Sequence, residues 1–162
     1  MQTLPEIWNM LQDVNDPEVP VLSVVDLGII RDVKSDGKNV EVVITPTYSG
    51  CPAMNRIEWD IKAMLLENGF AGVKVTTVLS PAWTSDWMSE EGKQKLKAYG
   101  IAPPHPVLSV CDSRLFQEEQ AVQCPQCGSY STRLVSQFGS TACKALYQCN
   151  DCREPFDYFK CH

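Results

Sequence analysis

The stretch Val40-Glu-Val-Val-Ile-Thr-Pro-Thr-Tyr-Ser-Gly-Cys-Pro52 decides the fold, because it runs from the clearest strand of the chain into its clearest helix. Val40, Val42 and Ile44 alternate with Glu41 and Val43, the period-two pattern of a strand with one apolar face. Pro46 ends the pairing, and Pro52 suits the first position of a helix. Met54, Ile57, Ile61, Met64 and Leu65 then share one helical face until Asn68-Gly69 supplies a left-handed cap. Cys51 stands where that helix starts. A thiol there meets unpaired backbone N–H groups and the positive end of the helix dipole, which favour thiolate. It reads equally as a nucleophile or metal ligand and as a small apolar filler.

Working outward, Ile29–Lys34 forms a preceding strand, joined to the Asn39–Thr45 strand by Ser35-Asp36-Gly37-Lys38, a tight-hairpin signal. Upstream, Thr3-Leu-Pro-Glu6 caps a first helix whose Ile7, Met10, Leu11 and Val14 make one apolar stripe. Asp16-Pro17-Glu18-Val-Pro20 stops it and leaves Asp16 and Glu18 in a turn. Two carboxylates so close either bind a cation, orient a neighbouring loop, or are simply solvated. Val21–Val25 is apolar and short, and Asp26-Leu-Gly28 reads as a turn into the next strand. Downstream, Val73–Leu79 is a third alternating strand. The order helix, strand, strand, helix, strand specifies an α+β fold, a small two-layer domain with helices on one face of a sheet.

Ser80-Pro-Ala-Trp-Thr-Ser-Asp-Trp87 follows, where Ser85 or Thr84 can cap a helix running through Glu90, Lys93 and Leu96 to Tyr99-Gly100. Trp83 and Trp87 either lock that helix onto the sheet or anchor a partner. Ala102-Pro-Pro-His-Pro106 is a stiff linker signal. The expected organisation is residues 1–101 as the α/β domain, 102–122 as linker and 123–162 as a C-terminal module.

That module carries Cys124-Pro-Gln-Cys127 and Cys149-Asn-Asp-Cys152, with 21 residues between the inner cysteines. Each Cys-x-x-Cys knuckle sets two thiolates on one side of a tight turn, and two knuckles complete a tetrahedral four-sulfur site. With strands expected at Thr132–Phe138, Lys144–Gln148 and Pro155–Phe159, this is a β zinc ribbon. Its zinc would be structural, since about 39 residues cannot build a sufficient core unaided. Cys143, Cys161 and His162 are left over as alternative ligands, and sulfur-rich sites also hold iron–sulfur clusters.

The chain has 8 cysteines and a net charge of −6. Residues 1–123 hold 10 basic and 17 acidic side chains, and residues 124–162 hold 4 and 3. Neither part offers the dense basic face that phosphate backbones require, so nucleic acid is not expected as a partner. Met1–Glu6 lacks the basic and apolar regions of a secretory signal, and no apolar run approaches the roughly 18 residues of a membrane span, so a cytoplasmic protein with no membrane partner is expected. The two histidines, His105 in the linker and His162, leave Cys51 without an evident base, which argues against ordinary thiol catalysis and for a chain that is not an enzyme.

Asp16-Pro-Glu-Val-Pro20, Asp26-Leu-Gly28, the strand ending at Thr45, and Gly50-Cys-Pro52 opening a helix resemble the small domain shared by SufT-like and cytosolic iron–sulfur assembly proteins, over about residues 5–80. Trp83-Thr-Ser-Asp-Trp87, Tyr99-Gly-Ile-Ala-Pro-Pro104, Phe138–Tyr147 and Phe159-Lys-Cys-His162 are similar to one branch of that family, the PaaD-type proteins of the bacterial phenylacetyl-CoA epoxidase system. The resemblance implies an accessory factor that assists insertion of iron or an iron–sulfur cluster into the epoxidase during phenylacetate degradation, or else a docking subunit without metal transfer. It also implies that Cys51 handles transient iron or a cluster, with Asp16, Glu18 and Thr45 shaping the pocket. The implied partners are the di-iron oxygenase or the iron–sulfur flavin reductase of the epoxidase, with a homodimer as a further option. The polar loop with Thr47, Tyr48 and Ser49 departs from the expected pattern.

Overall fold

The computed structural model describes residues 2–48, 50–105 and 122–160. Contacts divide the chain into two units, residues 1–92 and 93–162.

In the first unit, helix α1 (Leu4–Leu11) opens at Thr3, whose N–H donates to the Glu6 carboxylate at 2.6 Å, and buries Ile7 and Leu11. Strands β1 (Ile30–Ser35) and β2 (Asn39–Ile44) form the expected antiparallel hairpin. Gly37 has φ +91 in its turn. Helix α2 (Ala53–Glu67) carries the chain to β3 (Gly72–Thr77), which lies parallel to β2, so the sheet order is β1-β2-β3. The alternating Val40, Val42 and Ile44 are buried, as are Ile57, Ile61 and Leu65 of α2. The strand stripe is the one read from the sequence, and of the helix stripe Met54 and Met64 are only half-buried.

Val21–Val25 makes no strand. A single bridge, Asn15 with Ser23, and the bond from Val24 N–H to the Val14 carbonyl at 2.8 Å fold it into a loop that buries Leu22 and Val24 completely. The Asp26-Leu-Gly28 turn clasps this loop to the segment after β3. One Asp26 oxygen accepts from the Ser23 N–H at 3.1 Å and the other from the Ser89 hydroxyl at 3.2 Å. Gly28, at φ +70, lies so close under the Trp87 carbonyl that a Cβ there would overlap it. Trp83, 4% exposed, donates its indole N–H to the Leu27 carbonyl at 2.8 Å, and the Arg31 guanidinium lies 3.6 Å from the Trp87 ring centroid. Both tryptophans lock this segment down.

The helix expected from Ser85 to Tyr99 is in two pieces, a short 3-10 turn (Ser85–Trp87) and helix α3 (Glu90–Ala98). Thr84 caps the first piece, accepting from the Asp86 N–H at 3.4 Å. Ser89 accepts from the Gly92 N–H at 2.9 Å, so it and not Ser85 starts the long helix.

The second unit is a four-stranded sheet, β4 (Ile101–Ala102), β5 (Thr132–Ser136), β6 (Lys144–Cys149) and β7 (Pro155–Phe159), in the order β4-β7-β6-β5. Ile101 and Ala102 pair in parallel with Asp157 and Tyr158, which draws the chain before the proline-rich stretch into this sheet and moves the division ahead of residue 101. Its small core is Ala102, Val122, Cys124, Ala145, Cys149, Phe156 and Tyr158.

Candidate metal and thiol sites

The two knuckles meet at one end of the ribbon sheet. The four sulfurs of Cys124, Cys127, Cys149 and Cys152 all lie within 4.8 Å of one another, with Cys124–Cys152 at 3.7 Å and Cys127–Cys149 at 3.5 Å. A regular tetrahedron with metal–sulfur bonds of about 2.3 Å has edges of about 3.8 Å, so the donor set fits an ion of zinc's size and preference. Both knuckles turn the same way: Gly128 and Arg153, each directly after the second cysteine of its pair, have φ +78 and +66. The turns aim backbone N–H groups at sulfur, from Ser129 to Cys127, from Cys152 and Asp151 to Cys149, and from Glu154 to Cys152. Those donors, chiefly the Cys152 N–H, bring the Cys149 thiol down to about 7. At Cys152 the Glu154 N–H acts the same way, but burial and the three neighbouring sulfurs outweigh it and push the thiol up to about 12. Without a positive ion, four thiolates cannot share so small a volume.

Of the alternative ligands, Cys143 lies immediately before β6, outside this group and 4% exposed, with the Thr141 hydroxyl 3.0 Å from its sulfur. Cys161 and His162 lie outside the described residues, as do Cys111 and Ser49.

The second site is built at the carboxyl ends of the parallel strands β2 and β3, where open α/β sheets commonly bind ligands. Backbone bonds run in a ladder from Thr45 N–H to the Ile29 carbonyl at 2.9 Å, from Ile29 N–H to Val24 at 3.3 Å and from Val24 N–H to Val14 at 2.8 Å. The ladder ties the end of β2 to the Asp16 turn. Asp16 is buried, and its Oδ1 accepts from the Glu18 and Val19 N–H groups at 2.7 and 3.0 Å, which makes it the organiser of its own turn. Glu18 is half-buried beside it. Thr45 is 1% exposed, and its hydroxyl has no hydrogen-bond partner among the described residues. A buried hydroxyl left so costs about 1–3 kcal/mol.

Cys51 is half-buried immediately before the Pro52 cap of α2. Its N–H donates to Tyr48 and its carbonyl accepts from Met54, each at 3.3 Å. Pro52 supplies no side-chain cap, and the first turn of α2 has no acidic residue, so the positive helix end is left open. The structure does not gather Cys51, Asp16 and Glu18 into a ligand cluster. Among the described residues the ribbon cysteines are the only set of three or more such donors that converges. Sequence reasoning missed the Asp26–Ser89 clasp and the left-handed Arg153; aligning the two knuckles, Cys-Pro-Gln-Cys-Gly with Cys-Asn-Asp-Cys-Arg, would have exposed the second.

Residues 5–80 match the model of an iron–sulfur cluster assembly protein, and residues 110–160 match the PaaD zinc β ribbon domain. Over 156 residues the chain is 49% identical to an Escherichia coli (strain K12) protein provisionally named as one of the subunits of 1,2-phenylacetyl-CoA epoxidase, covering 96% of this chain and 92% of that one. The chain belongs to the PaaD-type family. That membership joins the two units, an iron–sulfur-assembly-type domain and a cysteine ribbon with a four-sulfur metal site. The first unit of this PaaD-type chain also has relatives that are nearly all domain. A Porphyromonas gingivalis (strain ATCC BAA-308 / W83) Fe-S protein maturation auxiliary factor is 43% identical over 100 residues, covering 59% of this chain and 92% of that protein. The crystal structure of a DUF59 domain of unknown function from Bacillus anthracis superposes with a TM-score of 0.54 at 32% identity, covering 57% of this chain and 89% of that one. Among the described residues, no helix is long and apolar enough to cross a membrane.

Proposed function

We propose that this PaaD-type family member is an accessory maturation factor that helps insert iron or an iron–sulfur cluster into the phenylacetyl-CoA epoxidase, and takes no part in the epoxidase's own chemistry. The observation that carries the reading is Cys51, a half-buried thiol at the uncapped start of α2, within the stretch that matches iron–sulfur cluster assembly proteins. Cys51 ligates the cargo transiently, while the Asp16 turn, Glu18 and Thr45 shape the pocket around it. A single thiolate cannot hold a cluster, so the remaining ligands come from the client, a second copy or a small thiol. The four ribbon cysteines hold zinc, and a closed four-thiolate site leaves no position for cargo. The client is the di-iron oxygenase or the iron–sulfur flavin reductase of the epoxidase, met in the cytoplasm.

The name of the E. coli relative favours a second reading, a structural component of the complex without metal transfer. One experiment separates them. The epoxidase subunits are produced with the wild-type chain or with Cys51→Ser, and their iron content and activity are measured. Maturation predicts a several-fold loss of both with the variant still bound to the complex; full iron with Cys51→Ser refutes the thiol's role.

A further inference from the structure

The two knuckles form an internal repeat, Cys124-Pro-Gln-Cys-Gly-Ser129 against Cys149-Asn-Asp-Cys-Arg-Glu154. The backbone follows it: Cys124 N–H donates to the Ser129 carbonyl at 2.8 Å, and Cys149 N–H to the Glu154 carbonyl at 3.0 Å. The side chains depart from it. The Ser129 hydroxyl of the first knuckle donates to the Asp151 carboxylate of the second. Glu154 and Gln126, which hold the corresponding places, share no such bond among the described residues.

Ser129 and Asp151 also aim backbone N–H groups at sulfur, Ser129 at Cys127 and Asp151 at Cys149. Those two sulfurs belong to different knuckles and lie 3.5 Å apart. The side-chain bond therefore closes a ring from Cys127 through Ser129 and Asp151 to Cys149. A second tie steadies it. Ser129 Oγ accepts from the Ser131 N–H at 3.0 Å, and the Ser131 carbonyl accepts from the N–H of Asn150 in the second knuckle at 2.8 Å. The ring includes the sulfur most open to water, since Cys127 is exposed whereas Cys124 and Cys149 are buried. A competing ligand meets the site there first.

We propose that Ser129 and Asp151 are positioning residues for the ribbon's metal: their side-chain bond keeps the two N–H donors on Cys127 and Cys149 and slows loss of the ion at the exposed Cys127 edge. Groups that orient metal ligands through hydrogen bonds change metal binding by about 10–100-fold when they are removed. This deepens the proposed function and rests on its assignment of zinc to the ribbon. A ribbon that lost its ion readily would open four thiolates to the iron or cluster carried at Cys51.

The test loads the full chain with zinc, adds an excess of a chromophoric chelator and measures the first-order rate of zinc release. Ser129→Ala and Asp151→Ala are each expected to release zinc about tenfold faster than the wild type. The double variant should match the single ones instead of reaching about a hundredfold, because both substitutions break the same bond. Ser129→Thr, which keeps the hydroxyl, and Gln126→Ala, at the place corresponding to Asp151, should release zinc as the wild type does. Cobalt in place of zinc reads the sulfurs directly: a displaced N–H donor moves the thiolate-to-cobalt charge-transfer band to lower energy in the Ala variants and not in Ser129→Thr. A truncated variant that takes up no metal while Ser129→Thr loads fully is the expected result in stronger form. Wild-type release by either truncation, multiplying effects in the double variant, Ser129→Thr or Gln126→Ala as fast as the truncations, or an unmoved cobalt band overturns the proposal. A wild-type chain that binds no zinc sinks the zinc assignment and the pair's role together. A wild type that holds zinc beside truncations that release it no faster sinks the pair's role alone, and the Cys51→Ser maturation experiment bears on neither.

Discussion

Arg153 and Gly128 hold the same place in the two knuckles, and both lie in the left-handed region. A side chain there costs about 1–2 kcal/mol that glycine avoids. Replacing Arg153 with Gly is therefore expected to stabilise the metal-loaded ribbon by about 1 kcal/mol, and Gly128→Ala to destabilise it by a similar amount. The backbone is the cause in the second case, because a Cβ at Gly128 would meet nothing nearer than the Gln123 amide nitrogen at 3.7 Å. Thermal melts of the two variants, followed by far-UV circular dichroism, check the opposite signs. Gly128 is legible as a turn residue from its own type and its place after a knuckle, whereas Arg153 is legible only by laying the second knuckle over the first, since arginine by itself has no conformational signature. Cys51 was legible in position and in its link to α2. The surroundings proposed for it were less so, because the bonds that make Asp16 the organiser of its own turn, and leave the Thr45 hydroxyl without a partner among the described residues, depend on chain segments brought together by the fold.

At the scale of elements, the hairpin and the α2 crossover could be read because their signals are local: an Asp-Gly turn, alternating valines, and a helical stripe closed by Asn68-Gly69. The break between the 3-10 turn and α3 could not, since Thr84, Ser85 and Ser89 are all competent caps and the choice falls to Asp26, which holds Ser89 from 63 residues away. The pairing of Ile101 and Ala102 with β7 is equally non-local. The hairpin also carries a pH dependence. Asp36 accepts from the Asn39 side chain at 2.9 Å, the Asn39 N–H at 2.7 Å and the Lys38 N–H at 2.9 Å, and these bonds, those from Asn39 first, hold its carboxyl down to about 2. A carboxylate with a folded value below its unfolded one adds stability above the ordinary Asp range, near pH 4, and loses it as pH falls toward 2. Asp36→Asn should accordingly melt below the wild type at pH 6, with the gap closing as the pH approaches 2. A constant gap across that window would place the effect in turn propensity instead of charge.

For the whole molecule, the two units differ in what holds them. The first buries a continuous set of aliphatic side chains between two helices and a three-stranded sheet, whereas the second has a small core that includes two of the cysteines themselves. Metal binding in such a module is folding free energy. All four tryptophans, Trp8, Trp59, Trp83 and Trp87, fall in residues 1–92, so tryptophan fluorescence reads that unit by itself. Stripping the ion with a strong chelator is expected to abolish the β signal of the ribbon in far-UV circular dichroism and to free its thiols to a colorimetric reagent, while the tryptophan spectrum stays fixed. A simultaneous red shift in that spectrum would mean that the first unit needs the metal as well.

The line between the units falls inside α3, a single helix that starts in the first and finishes in the second. Its cap, Ser89, belongs to the first, and its buried Leu96 to the second. A gene cut at residue 92 would give one product a helical stub and the other a helix without its start. Natural recombination or laboratory shuffling that exchanges ribbons among such chains has a cleaner crossover point before Ser89 or after Gly100, and hybrids joined there should accumulate in cells where hybrids joined at residue 92 are degraded.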